Sequence, residues 1–89
     1  MKIFQLEQRK AIQILMFLHR KGNVIFKDLI DEVGGDYRTL DKAMRTLTEL
    51  GLVTDVFKRG RPSKRYLGLT EKGEKVVEIL NRLEEILSK

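Results

Sequence analysis

Apolar residues recur at helical spacing through the first half of the chain and predict three helices there. The first helix runs from about Gln5 to Lys21, and part of its second half, Ile14 to Leu18, is apolar almost all round. A helix of that kind is usually buried on more than one side. The second helix covers about Lys27 to Val33 and the third about Tyr37 to Leu50. The glycine pair at 34–35 makes a tight turn between them, and Asp36 is a suitable N-cap for the third helix.

The second half of the chain predicts a β-hairpin followed by a last helix. Leu52 to Phe57 is rich in β-branched and aromatic residues and indicates a strand, and Tyr66 to Leu69 indicates the strand that returns. The basic segment Lys58 to Arg65 makes the turn between them. After Thr70, a suitable N-cap, a helix extends from Glu71 to about Leu87.

The order of these elements predicts the fold. A short extended stretch at Val24–Ile25 separates the first two helices, and three helices followed by a hairpin form the winged-helix arrangement. We therefore expect an α+β fold, mostly α, in which residues 1–89 are one domain, since chains of this length rarely divide.

The last helix has an apolar stripe wider than the core of so small a domain requires. Its seam positions alternate spacings of four and three residues, as in a coiled coil, and two isoleucines widen the stripe. Together with the apolar first helix, this pattern predicts a two-fold homodimer in which residues 71–88 form the dimerisation helix. The expected interface residues are Ile14, Phe17, Val76, Ile79, Leu80, Leu83, Ile86 and Leu87.

Composition narrows the possible chemistry. The chain has no cysteine and a single histidine, His19, so we expect no disulfide, no metal site and no cofactor. Its longest apolar run, Ile14 to Leu18, is much shorter than a membrane span or the apolar core of a signal peptide, which favours a cytoplasmic protein without a membrane partner. No glycine-rich phosphate loop precedes a helix and no pair of nucleophile and base is evident, so we do not expect an enzyme.

Positive charge is concentrated in the predicted turn of the hairpin. Lysine and arginine number 18 against 13 acidic residues, a net charge of +5, and the segment Lys58 to Tyr66 alone has five basic residues and no acidic one. Contact with phosphates relieves the repulsion between neighbouring cations and releases counterions from DNA. Arg59-Gly60-Arg61-Pro62 is also similar to the core of an AT-hook, a suitable insert for a narrow minor groove. The alternative is a solvated basic loop whose glycine and proline only build the turn.

The third helix has an inner apolar face and an outer polar face. Because the tight turn projects this helix from the surface, it can enter a major groove, which admits one helix. The arginines and the lysine of the outer face are candidates for guanine edges or phosphates, but acidic residues on the same face leave a merely solvated helix as the alternative. The expected DNA-binding residues of helix and turn are Tyr37, Arg38, Thr39, Lys42, Arg45, Lys58, Arg59, Gly60, Arg61, Lys64 and Arg65.

Two segments resemble parts of known winged helix-turn-helix regulators. Residues Thr39 to Leu47, followed by Glu49 to Val53, are similar to the recognition helix and the strand after it. Gly60 to Pro62, followed by Tyr66 to Gly73, resembles the wing and next helix of MarR- and PadR-like repressors, including small archaeal ones. The resemblance covers about residues 8–80 and implies a homodimeric repressor that binds a pseudo-palindromic operator in double-stranded DNA.

Asp41 departs from the pattern of these regulators, in which a small hydroxyl residue is common at that position. An acid near phosphates argues against DNA contact there, although it could accept a hydrogen bond from cytosine. Two other functions fit the same fold: a non-specific architectural DNA-binding protein and a protein–protein interaction module. RNA binding lacks the expected aromatic stacking platform. Nothing in the sequence identifies a small-molecule effector.

The aromatic residues are expected to serve packing rather than chemistry. Phe17, Phe26, Phe57 and Tyr66 are interpreted as core or hairpin residues.

Overall fold

The computed structural model describes residues 6–61 and 64–88, with side chains from residue 9 onward. Pro62 and Ser63, in the predicted turn, lie outside the described residues. The order of the elements confirms the predicted winged-helix fold, mostly α with a β wing. The elements are α1 (Leu6–Lys21), β1 (Val24–Ile25), α2 (Phe26–Val33), α3 (Tyr37–Glu49), β2 (Val53–Lys58), β3 (Lys64–Leu69) and α4 (Glu71–Leu87).

The strands form one antiparallel sheet in the order β1-β3-β2. β2 and β3 pair along their whole length, from Val53 opposite Leu69 to Lys58 opposite Lys64, as the predicted hairpin requires. β1 pairs with the other edge of β3, a contact that the sequence pattern did not indicate because two residues are too few to show a period. Since β1 leads directly into α2, this pairing holds the inner half of the hairpin against the helices.

The core surrounds α1. Its residues Ile14, Leu15, Phe17 and Leu18 are at most 3% exposed, and α1 contacts α2, α3, α4 and β3. An apolar helix with so many neighbours in its own chain needs no second chain to cover it. The structure therefore corrects the expected dimer interface, because Ile14 and Phe17 are core residues of the single chain.

The turn between α2 and α3 is fixed by its glycines and by a lysine from α1. Gly34 and Gly35 have φ values of 78° and 93°, a left-handed backbone that glycine adopts without steric penalty. The Lys10 side chain reaches this turn, and its Nζ donates to the carbonyl oxygens of Val33 at 3.2 Å and Gly34 at 3.3 Å. A cation at these carbonyls complements the negative end of the α2 dipole.

α4 begins against the junction of α3 and β2. The Thr70 hydroxyl accepts a hydrogen bond from the Gly73 N–H at 3.0 Å, which confirms the predicted N-cap, and donates to the Gly51 carbonyl at 2.7 Å. A Cβ on Gly73 would overlap the carbonyl oxygen of Leu52. Glycine at this position therefore allows the first turn of α4 to lie directly on the chain that enters β2.

His19 joins α1 to the first turn of α4, since its Nδ1 lies 2.8 Å from a carboxylate oxygen of Glu74. Within residues 6–61 and 64–88, no cluster of His, Asp and Glu side chains could hold a metal ion. In the same ranges, no helix is long and apolar enough to cross a membrane.

Candidate nucleic-acid interface

The position of α3 is set by its buried face and by its N-cap. Leu40, Met44 and Leu47 are at most 3% exposed, and α3 packs against α1. The Asp36 carboxylate accepts a hydrogen bond from the backbone N–H of Thr39 at 2.7 Å, as the sequence predicted for this N-cap. Hydrogen bonds from the side chain and backbone of Thr39 hold the pKa of the Asp36 carboxyl below its usual value. α3 therefore projects its other face from a fixed starting point.

The outer face of α3 is exposed and has more basic than acidic residues. Four of the five residues expected to contact DNA from this helix are exposed, namely Tyr37, Arg38, Lys42 and Arg45. The fifth, Thr39, is half-buried beside the N-cap. The Arg45 Nε lies 3.2 Å from the Asp41 carboxylate one turn earlier, and the arginine side chain is still 75% exposed. The pairing therefore leaves Arg45 accessible to a ligand.

The wing, which consists of β2, β3 and their connecting turn, presents a second cationic surface. Five of the six residues expected to contact DNA from the wing are exposed, and the sixth, Arg65, is not. The exposed residues are Lys58, Arg59, Gly60, Arg61 and Lys64. The Lys58 Nζ lies 5.5 Å from the centre of the Tyr66 ring, within the range of a cation–π contact. Exposed cations at the end of a projecting hairpin are suitably placed for phosphate groups.

Arg65 differs from these other basic residues of the wing. Its side chain is 11% exposed, and its guanidinium donates to both oxygens of the Asp55 carboxylate, with Nε–Oδ1 at 2.8 Å and Nη2–Oδ2 at 2.5 Å. Its Nη1 lies 2.8 Å from the Asp41 carboxylate and donates to the Tyr37 hydroxyl at 3.2 Å. The guanidinium carbon is 4.4 Å from the centre of the Phe26 ring. These five residues are called the Arg65 cluster below.

The Arg65 cluster corrects the expected DNA contact of Arg65 and explains how the charge of Asp41 is accommodated. Arg65 was expected to contact DNA, but its guanidinium faces two carboxylates and a hydroxyl of its own chain. Hydrogen bonds to Asp55, and then to Asp41, raise the pKa of Arg65 further above its usual value. Asp41, which departs from the pattern of related regulators, has Arg65 and Arg45 as its partners. Its charge is therefore balanced within the protein.

Asp55 is the member of the Arg65 cluster that sequence reasoning missed. In the hairpin register Asp55 lies opposite Leu67 and Phe57 lies opposite Arg65, so Asp55 and Arg65 are diagonal neighbours on one face of the sheet. The available signal was an acid and an arginine on two strands predicted to pair. Using that signal requires the register of the hairpin, which depends on the length and type of its turn.

The aromatic residues divide between the core and the surface of the wing. Phe17 and Phe26 are buried as expected, whereas Phe57 is 65% exposed and Tyr66 is 38% exposed, because β2 is fully buried only at its inner end. Phe57 and Tyr66 are therefore hairpin residues, on β2 and β3, and not core residues. Phe26, Tyr37 and Phe57 line an open groove of about 490 Å³ between α2, the start of α3 and the wing.

α4 has one covered edge and one exposed edge. Val77 is fully buried, and Val76 and Leu80 pack at the margin of the core. The other expected interface residues on this helix are exposed, with Ile79 at 64%, Leu83 at 51%, Ile86 at 69% and Leu87 at 75%. Every residue from Arg82 to Ser88 is exposed, so the last turns of α4 extend beyond the core.

Several solved structures of transcriptional regulators share this fold. A transcriptional regulator homologue from Pyrococcus horikoshii is 19% identical, covering 88% of this chain and 79% of its own, with a TM-score of 0.78. A PadR family transcriptional regulator from Eggerthella lenta is 20% identical, covering 93% of this chain and 80% of its own, with a TM-score of 0.74. A MarR transcriptional regulator from Methanosarcina mazei is 30% identical, covering 88% of this chain but 54% of its own, with a TM-score of 0.67.

Comparison of the sequence with protein families goes beyond the likeness in fold, because it tests whether the chain belongs to a family. No curated protein matches the sequence significantly. The HxlR-like helix-turn-helix family matches residues 5–89, a range that contains α3, the wing and α4. This match confirms the predicted resemblance to winged helix-turn-helix regulators, while the archaeal type stays a prediction. The chain therefore belongs to the HxlR-like helix-turn-helix family and is a DNA-binding transcriptional regulator, not an enzyme.

Proposed function

We propose that this regulator recognises a specific sequence in double-stranded DNA, binds as a homodimer to a pseudo-palindromic operator and represses transcription. The supporting observation is that its two cationic surfaces are contiguous. Arg45 on α3 pairs with Asp41, Asp41 pairs with Arg65, and Arg65 pairs with Asp55 in the wing. This series of ion pairs places the outer face of α3 beside the wing, so that a single duplex can contact both.

The two surfaces suit different parts of a duplex. A major groove about 12 Å wide admits one helix, and the residues near the N-terminus of that helix make most base contacts. In this proposal α3 inserts Arg38, Lys42 and Arg45 towards base edges or phosphates, while Tyr37 and Thr39 contact phosphate or a thymine methyl group. The wing residues that contact phosphates or the adjacent minor groove are Lys58, Arg59, Gly60, Arg61 and Lys64.

The exposed edge of α4 supports the homodimer. Its residues Ile79, Leu83, Ile86 and Leu87 are spaced by four, three and one, which places them along one side of the helix. A contiguous apolar surface of this kind is typical of a protein–protein contact. A two-fold axis through this edge would bring the same residues of a second copy against it, with Val76 and Leu80 at the inner margin. The two copies of α3 would then face DNA about 34 Å apart, one helical turn.

Selection of bound duplexes from a random-sequence pool, followed by sedimentation of the free protein, tests this proposal. We expect enrichment of two inverted half-sites whose centres are about one helical turn apart. We also expect a dimer at micromolar concentration. Binding without enrichment would indicate an architectural DNA-binding protein, and no binding would indicate a protein–protein interaction module. Either result would overturn sequence-specific binding, and a monomer would overturn the dimer.

Transcription in vitro tests the direction of regulation. When the selected operator overlaps a promoter, we expect the protein to lower the amount of transcript, because bound protein excludes the polymerase. The control is the same promoter with one half-site scrambled, which should escape the effect. An increase in transcript on the intact operator would show activation instead.

Salt dependence separates the role of the wing from that of α3. Replacing Arg59, Arg61 and Lys64 together by Ala should weaken binding to every sequence and reduce the slope of log K against log salt by about 0.9 per lost phosphate contact. Arg38→Ala should cost about 1–3 kcal/mol on the selected site and much less on random duplex if Arg38 contacts a base. Lys75→Ala removes an exposed cation on α4 and serves as the control. An unchanged slope in the triple variant would show that the wing does not contact DNA phosphates.

A further inference from the structure

Arg65 lies in the most basic segment of the chain but makes its contacts inside the protein. The guanidinium makes four polar contacts of 2.5 to 3.2 Å with the side chains of Asp55, Asp41 and Tyr37. These contacts use most of its N–H donors, and the ring of Phe26 lies against it. Arg65 therefore has little donor capacity left for a phosphate.

The partners of Arg65 belong to three different elements. Asp55 is on β2, Asp41 and Tyr37 are on α3, and Phe26 is the first residue of α2. One side chain on β3 thus connects both strands of the wing to both helices of the helix-turn-helix. The contacts with Asp41 and Tyr37 are the ones that join the wing to the outer side of α3.

The outer half of the wing is largely exposed over its described residues. Beyond Asp55, the β2 residues Val56, Phe57 and Lys58 are all exposed. A two-stranded hairpin is at best marginally stable by itself, so its orientation depends on what it packs against. The Arg65 cluster supplies such a contact at the base of the exposed half.

The same cluster removes an electrostatic conflict from the proposed DNA surface. Asp41 lies on α3 beside the candidate base-contacting residues, and Asp55 lies in the wing. Unpaired carboxylates at these positions would repel phosphates. Arg65 pairs with both, and Arg45 shares Asp41.

We propose that Arg65 is a positioning residue for DNA binding: it fixes the wing against α3 and neutralises Asp41 and Asp55, and it does not itself contact DNA. The proposal rests on the function proposed above. Its consequence is that α3 and the wing tip are held at the separation needed to contact one duplex together.

Arg65→Lys distinguishes a positioning residue from a phosphate contact. Lysine keeps the positive charge that a phosphate requires, but an ammonium group cannot donate in a fork to one carboxylate while also reaching a second. We expect Arg65→Lys to weaken binding to the selected duplex about tenfold, the factor for one lost charge-assisted hydrogen bond. Arg20→Lys, on an exposed arginine of α1 outside both proposed DNA surfaces, is the matched control and should change binding to the same duplex by less than about twofold, since lysine can keep its surface ion pair with Glu32.

Arg65→Gln tests the salt dependence. When it is added to the triple variant that already lacks the exposed wing cations Arg59, Arg61 and Lys64, Arg65→Gln should leave the slope of log K against log salt unchanged if Arg65 contacts no phosphate. Loss of one further phosphate contact would reduce that slope by about 0.9. Adding Asp41→Asn and Asp55→Asn to Arg65→Gln should restore part of the affinity, because the unpaired carboxylates are then gone. A reduced slope, a lack of recovery, or wild-type affinity of Arg65→Lys would each overturn the proposal.

Amide hydrogen exchange tests the fixing of the wing without DNA. In Arg65→Lys we expect faster exchange in β2 and β3 and unchanged exchange in α1, because only the hairpin loses its contact with α3. Asp55→Asn keeps one carbonyl acceptor for Arg65 and should show the same change to a smaller extent. It replaces Arg65→Lys in this test if Arg65→Lys does not fold. Unchanged exchange in the wing of a folded variant would overturn the proposal. If the wild-type protein binds no DNA, the proposed function fails, whereas this comparison still decides whether Arg65 fixes the wing.

Discussion

α1 and α4 have similar lengths, 16 and 17 residues, but they differ in how their apolar residues are covered. α1 lies at the centre of the fold, and Leu18 is 1% exposed. The rest of the chain covers only the inner edge of α4, and Ile86 near the end of this helix is 69% exposed. Apolar area stabilises a fold only where folding removes that area from water. The comparison therefore assigns α1 to the stability of the single chain and leaves the outer edge of α4 free for the association proposed above.

The largest expected effect comes from shortening a side chain of α1. Leu18→Ala should lower the free energy of unfolding by about 2–5 kcal/mol, because it leaves a cavity in a close-packed core. Urea denaturation followed by circular dichroism measures the difference. Leu50→Ala at the end of α3 is the control, since Leu50 is 53% exposed, and it should change stability by less than about 0.5 kcal/mol. Equal losses in the two variants would contradict the assignment of α1 to the core.

A charge on the outer edge of α4 should act on association instead of folding. Leu83→Glu should sediment as a monomer at micromolar concentration and bind the two-half-site operator about a hundredfold more weakly, because the two half-sites no longer act together. The helical content of the folded chain should remain, since Leu83 is 51% exposed. Leu50→Glu introduces the same charge at a leucine of similar exposure, 53%, outside α4. If Leu50→Glu dissociates the protein and Leu83→Glu does not, the interface lies elsewhere.

The inner end of α4 should behave like the core and not like its outer edge. In an open helix, Gly→Ala is stabilising because alanine has the higher helix propensity. Gly73→Ala should nevertheless lower the free energy of unfolding by about 1–3 kcal/mol, because the added methyl group meets the carbonyl oxygen of Leu52. Lys75→Ala, at an exposed position two residues further on, controls for propensity. Thermal unfolding of both variants measures the difference, and a stabilising Gly73→Ala would show that α4 does not lie this close to the chain before β2.

The smallest expected effect concerns a cap at the surface, where no apolar area is involved. The pKa of Asp36 is lowered in the folded protein by its hydrogen bonds from Thr39. Its charged form therefore stabilises the fold above the usual pKa of an aspartate, and this contribution is lost as the pH falls through the lowered pKa. Asp36→Asn keeps the cap acceptor but does not titrate, so its stability should fall less steeply below about pH 4. The urea midpoints of the wild-type protein and of Asp36→Asn, measured against pH, test this. If Asp36 has no such role, the two midpoints will fall equally steeply with decreasing pH.

Most elements were predictable from the sequence because their signals are local. Three- and four-residue spacing indicated the helices, and the glycine pair and Asp36 indicated the turn before α3. The apolar character of Ile14 to Leu18 showed that α1 is buried on several sides, but periodicity cannot show which chain buries it. The neighbours that cover α1 come from four other elements, and their arrangement depends on the complete fold.

The candidate site was only partly predictable, because its charges look alike in sequence. Arg65 is one of five basic residues in the wing segment, and nothing local marks it as the buried one. Its burial depends on the hairpin register, which brings Asp55 to it, and on Asp41, which lies on a different element. The exposed cations were predicted correctly as exposed because the tip of a hairpin projects from its fold.

Lys10 gives the helix-turn-helix a mechanical property of its own. Its ammonium group joins α1 to the two carbonyls at the end of α2, and its side chain lies along Gly35 in the turn. A hinge between α2 and α3 would have to break these contacts before it could open. The end of α2 and the turn should consequently move with α1, against which α3 also packs. A displacement of α1 would then carry the end of α2, the turn and α3 along with it.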